Sequence, residues 1–161
     1  MAMTDGEAAS FDFSFKIAVR RVLKEATEEY NKSKEFTEAI LLKLRYIFGP
    51  TFERALELFE ANKVTAYKFE STRHTDNNTE KVECCFYEVQ GHSTEVYTIF
   101  SSVNYCPCLA FEINVLKNQE SFTCKHVLAV WLASVSNSHL NVQILPESKY
   151  CEILLGRVTD N

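Results

Sequence analysis

Tyr105-Cys106-Pro107-Cys108, fifteen intervening residues, then Cys124-Lys125-His126-Val127-Leu128-Ala129-Val130-Trp131 is the stretch on which the reading of this chain turns. Its three cysteines and one histidine make a Cys₃His set in two short clusters. Structural zinc takes four N/S ligands in a closed tetrahedron, so the set fits one Zn²⁺ with no ligand left over. Pro107 biases Cys106 toward extended backbone, where residues two apart fall on the same side of the chain, so both sulfurs of Cys106-Pro107-Cys108 can face one ion. Cys124 and His126 would diverge if both lay inside one helix. The spacing therefore places Cys124 at or before a helix cap and His126 in the first turn. There the free N–H groups and the positive dipole end favour a site that carries thiolates.

Competing readings of the same residues are weaker. Buried thiols beside a cap histidine would explain each residue singly, since free cysteine is a common core residue. That reading leaves unexplained why half of six cysteines and one of four histidines fall within positions 106–126. A disulfide between neighbours at i and i+2 rarely reaches bonding geometry, and nothing in the sequence points to secretion. Four protein ligands leave no open coordination position, and neither H-E-x-x-H nor a deaminase pattern is present, so a zinc hydrolase is disfavoured. Cys124 and His126 are too near in sequence to serve readily as nucleophile and base. No G-x-x-x-x-G-K-[ST] loop occurs, so any ATP chemistry belongs to a partner.

C-x-C, a spacer, C-x-H and an alanine three residues on resembles the SWIM-type zinc finger, here as Cys106, Cys108, Cys124, His126 and Ala129. Ala129 sits at i+3 from His126, where a small side chain lets the zinc loop close. SWIM modules serve several functions, so the module alone does not define one. The similarity extends further, to the branch of SWIM proteins that form the small SWIM-domain subunit of the Shu complex. It is carried by Leu41 to Gly49 (LLKLRYIFG), Ala55 to Phe59 (ALELF), the Tyr97 strand and Cys124 to Leu132 (CKHVLAVWL), and it covers about positions 36–155. The resemblance implies a non-enzymatic subunit that pairs with a RecA-type recombinase paralogue. Together the two would promote recombinase filament assembly on single-stranded DNA in homologous recombination, in the nucleus. The sequence departs from the expected pattern at positions 13–30, which extend the N-terminus, and at 71–80. The alternatives are a SWIM-type adaptor of a ubiquitin ligase and a stand-alone DNA-binding finger.

With 161 residues the chain suits one compact domain, and 46% hydrophobic residues suffice for a packed core. A net charge of −5 argues against a protein that grips nucleic acid through its own basic face, so single-stranded DNA would be reached only through the complex. The N-terminus lacks a basic region and an apolar run, which excludes a signal peptide; no stretch is apolar for long enough to span a bilayer. The expectation is a soluble intracellular protein without a membrane role, in which clustered Cys and His read as metal ligands.

Along the chain the reading is an α+β fold. Residues 1–12 are expected to form a disordered tail. Residues 13–62 form a helical region: an amphipathic helix over 13–30, a second over 34–48 ended by Gly49-Pro50, and a third over 52–61 capped by Thr51. Lys16, Arg20, Arg21 and Lys24 on the first helix read as a solvated face, because Glu25, Glu28 and Glu29 follow directly. Residues 63–161 hold a small antiparallel meander, the SWIM module and a C-terminal helix. The period changes to two over 64–69, 82–89 and 95–100, with 71–80 a polar loop. Cys84 and Cys85 point to opposite sides of a strand and read as packing; His74 and His92 fall in loops. Between the metal clusters a short helix is favoured over a strand. The helix after His126 is mostly buried and takes Trp131 into the core. The last helix spans 146–155, stops at Gly156 and buries Cys151.

Overall fold

The computed structural model describes the backbone of residues 5–75, 78–91 and 93–159, with side chains over 14–69, 85–91 and 93–156. The N-terminal half is helical. α1 runs Asp5–Ser33, α2 Glu38–Phe48 and α3 Pro50–Glu60. Each buries one stripe: Val19 and Ala26 from α1, Ile40, Leu44 and Phe48 from α2, and Phe52, Ala55, Leu58 and Phe59 from α3. Gly49 closes α2 and opens α3 at once, with φ +53° and ψ −136°, and Pro50 occupies the first turn of α3. Glycine adopts that backbone without a Cβ penalty, and proline's missing N–H is no loss at a helix start.

β1 (Val64–Thr75), β2 (Asn78–Gln90) and β3 (Val96–Phe100) form an antiparallel meander, and β4 (Leu140–Ile144) adds to β1 in parallel, giving a mixed sheet in the order β3-β2-β1-β4. The register puts Val64 opposite Val89 and Tyr87 opposite Ile99, on the face that joins the helical core. On the other face Tyr67 and Phe86 stack with ring centroids 5.0 Å apart, and Tyr150 of α6 (Glu147–Thr159) covers Phe69 and Phe86 at 5.6 and 5.3 Å. After β3 come α4 (Leu109–Phe111), continued by a π-helical stretch over Glu112–Lys117, and α5 (Lys125–Ser136). α5 packs against α3 and reaches all three strands of the meander.

The α+β class, the N-terminal helical layer, the meander and the short helical turn after Cys108 agree with the sequence reading, and several details correct it. α1 begins at Asp5, so positions 5–12 are helical rather than tail; Glu7, Ala8 and Ala9 are good helix formers and Asp5 suits the positive end of the helix. α2 starts only after Thr37, which is extended (ψ 155°) and precedes the first turn, whereas Lys34, with φ +62°, ends α1. Gly49, not Thr51, precedes α3. Within the expected 71–80 loop, residues 71–75 and 78–80 are instead strand: Thr72 pairs with Lys81 and Arg73 with Glu80, and Thr75 faces Asn78. β4 has no counterpart in the reading of the sequence. α6 continues through Gly156, because one glycine costs a helix only about 1 kcal/mol relative to alanine. Cys151 is exposed on it, not buried. Cys85 is half-buried and Trp131 packs against Phe36 at 6.2 Å. Residues 1–4, His92 and the side chains of His74 and Cys84 lie outside the described residues.

Candidate metal centre

Backbone geometry delivers each of the four side chains. Tyr105 N–H donates to the Val103 carbonyl at 3.0 Å, turning the chain out of the sheet just before Cys106. Cys108 is extended (φ −72°, ψ 148°) and caps α4, its Sγ accepting from Phe111 N–H at 3.4 Å. Cys124 is likewise extended (φ −100°, ψ 169°) and caps α5, so His126 falls in the first turn. The two approaches are tied together by Asn104: its Nδ2 donates to the Phe122 carbonyl at 2.9 Å, and its Oδ1 accepts from the Thr123 hydroxyl at 2.7 Å. Nothing in residue type or spacing marked Asn104 and Thr123 beforehand.

Cys106, Cys108, Cys124 and His126 are 1%, 4%, 4% and 3% exposed, and their ligand atoms all lie within 4.8 Å of one another. His126 turns Nδ1 toward the sulfurs, 3.7 Å from Cys106 Sγ and 4.0 Å from Cys124 Sγ. A tetrahedral zinc with bonds of about 2.3 Å to sulfur and 2.0 Å to nitrogen needs S···N edges of roughly 3.5 Å, so small adjustments close the site. Ala129 is fully buried one turn along α5. The remaining described cysteines stand apart, and His139 packs on the Phe59 ring at 4.8 Å.

A zebrafish (Danio rerio) protein called zinc finger SWIM domain-containing protein 7 is 36% identical to this chain over 113 residues, which cover 70% of this chain and 73% of the relative. The Homo sapiens protein of that name is 30% identical over 137 residues, covering 85% and 89%. The chain belongs to the zinc finger SWIM domain-containing protein 7 family. A Dictyostelium discoideum homologue extends the likeness at 31% identity, over 80% of this chain and 75% of its own length. No family profile matches the sequence, and no solved structure matches it. For a member of the SWIM family the buried Cys₃His cluster is a site that can hold one zinc ion.

The donor chemistry fits the ion. Cys108 is held well below the usual thiol range by hydrogen bonds from the Cys106 and Cys124 thiols. Cys106 is correspondingly raised, by its hydrogen bonds with Cys108 and Cys124 and by burial. Cys124 is pulled down by Cys106 but pushed up further by Cys108 and by burial, to about 11. Three sulfurs that share protons in this way suit a divalent cation, which would take the place of those protons. Bound zinc would supply a cross-link among the β3–α4 connection, α4 and α5. His126 Nε2 is buried with no hydrogen-bond partner among the described residues. The Tyr97 ring stacks on the His126 imidazole at 4.2 Å with 28° between planes. Its hydroxyl donates to Glu95, and that bond raises the Tyr97 pKa to about 12.

Proposed function

We propose that this chain is a non-enzymatic, zinc-stabilised adaptor. It pairs with a RecA-type recombinase paralogue, and the pair promotes recombinase filament assembly on single-stranded DNA during homologous recombination repair in the nucleus. Membership of the SWIM domain-containing protein 7 family and the resemblance to the Shu subunit support the reading. The observation that carries it is a closed, buried four-ligand centre set among helices that present large apolar side chains to solvent, among them Leu42 and Tyr46 (92% exposed) on α2 and Leu109 (68%) on α4. A metal enclosed by four side chains has no position for substrate, and apolar surface of this kind serves docking.

The zinc acts as scaffold. Structural zinc contributes an apparent ~10–16 kcal/mol to folding in small modules, enough to decide whether the α4–α5 region holds its shape. The test is affinity purification of the tagged protein from its own cells, with mass spectrometry of co-purifying chains. Wild type should recover a recombinase paralogue and Cys106→Ser should lose it. Lys24→Ala, on the exposed basic face of α1, should recover it as wild type does. Recovery of ubiquitin-conjugating machinery, or of no stable partner, would sink the reading.

A further inference from the structure

We propose that Tyr97 is the positioning residue of the metal centre: its ring, delivered by β3, orients the His126 imidazole in place of the hydrogen bond that normally does so. A ligating histidine ordinarily donates its second ring N–H to a carbonyl or carboxylate, which fixes tautomer and ring angle. Here Nδ1 faces the thiols, while Nε2 is buried and finds no such acceptor among the described residues. What lies against the imidazole instead is the flat face of Tyr97, 4.2 Å away.

Tyr97 is itself held on two sides. Its hydroxyl donates to Glu95, two residues back. Its ring edge rests on Gly91, where an added Cβ would come within 3.3 Å of Cε2 and 3.5 Å of the Glu95 carbonyl. Gly91 does not have a positive φ, so its lack of a side chain answers a need for space rather than for backbone freedom. Gly91 N–H donates to that same Glu95 carbonyl at 2.9 Å, closing the β2–β3 connection. Tyr97 pairs with Val89 and shares the core-facing side of the sheet with Ile99, which aims its ring at α5. The β2–β3 connection is therefore a clamp on the metal ligand, built from Gly91, Glu95 and Tyr97. The inference rests on the metal site and is independent of which partner the protein binds.

The test is transfer of zinc from the full-length, metal-loaded protein to a colorimetric chelator, alongside the absorption spectrum of the cobalt-substituted protein, whose bands report ligand geometry. Tyr97→Phe keeps the ring and should transfer zinc at a rate within about twofold of wild type, whereas Tyr97→Leu keeps apolar bulk, loses the flat face and should transfer it ~10-fold faster. Gly91→Ala should also quicken transfer and shift the cobalt bands, by pushing the ring aside. In the Tyr97→Leu background Gly91→Ala should add nothing, since the ring it displaces is gone. Wild-type transfer by Tyr97→Leu, or an equal Gly91→Ala effect in both backgrounds, would overturn the proposal. If Tyr97→Leu does not fold, Gly91→Ala decides alone: unchanged cobalt bands and transfer rate would refute the clamp.

Discussion

A thiol that hydrogen-bonds a neighbouring thiolate keeps its proton, and a metal entering the site must expel it. Cys108 is the acidic member of the trio, while Cys106 and Cys124 are raised by their bonds to it and by burial. Zinc binds thiolates, so closing Zn²⁺ on the cluster should release the protons that the raised Cys106 and Cys124 thiols hold, about two in number. Lowering the pH adds protons that compete for the sulfurs, so zinc affinity should fall by up to about two powers of ten per pH unit. Calorimetric titration in two buffers of different ionisation enthalpy reads the proton count. A count near zero would mean that the three thiolates are already formed.

At the scale of elements, the joint between α2 and α3 makes a sharp demand on one residue. Gly49 has φ +53° and ψ −136°, a backbone that an L side chain tolerates poorly, while nothing lies within 4 Å of where its Cβ would be. Gly49→Ala should therefore act through backbone strain alone and cost about 1–3 kcal/mol, read as a lower urea midpoint with an unchanged slope. A midpoint equal to wild type would show that the joint relaxes. This element was legible because its cause is local: Gly49-Pro50 is a stop and a start in adjacent letters. The metal ligands were legible for the same reason, since thiol and imidazole at short spacings carry their chemistry in their names. The β1–β2 ribbon was not, because Ser71, Thr72, Arg73 and His74 look like loop until Val82, Lys81, Glu80 and Thr79 pair with them. β4 escaped for a related reason: Val142 and Ile144 alternate with polar residues but remain exposed, and the strand's partner is β1, far upstream. Tyr97 belongs to the same class, as one aromatic residue in a strand whose importance lies in what α5 sets beside it.

At the scale of the whole molecule, charge decides what the chain can hold unaided. The net charge is −5, and the basic row of Lys16, Arg20, Arg21 and Lys24 is followed on the same helix by Glu25, Glu28 and Glu29, with Lys24 bridged to Glu28 at 3.7 Å. Titrated alone with single-stranded DNA at low salt, the protein should show neither tight binding nor a steep dependence of affinity on salt. A steep salt slope would reveal a phosphate grip that the charge distribution does not provide. The closed metal centre also bears on what stability means for this protein. A disulfide is a covalent bond that only a reductant or an exchanging thiol opens, but a coordinated ion is exchanged directly with its surroundings. Each tenfold rise in free zinc above the dissociation constant adds about 1.4 kcal/mol to the folded state. A melting temperature for this chain is thus a joint property of sequence and solution, undefined until the activity of the ion is stated.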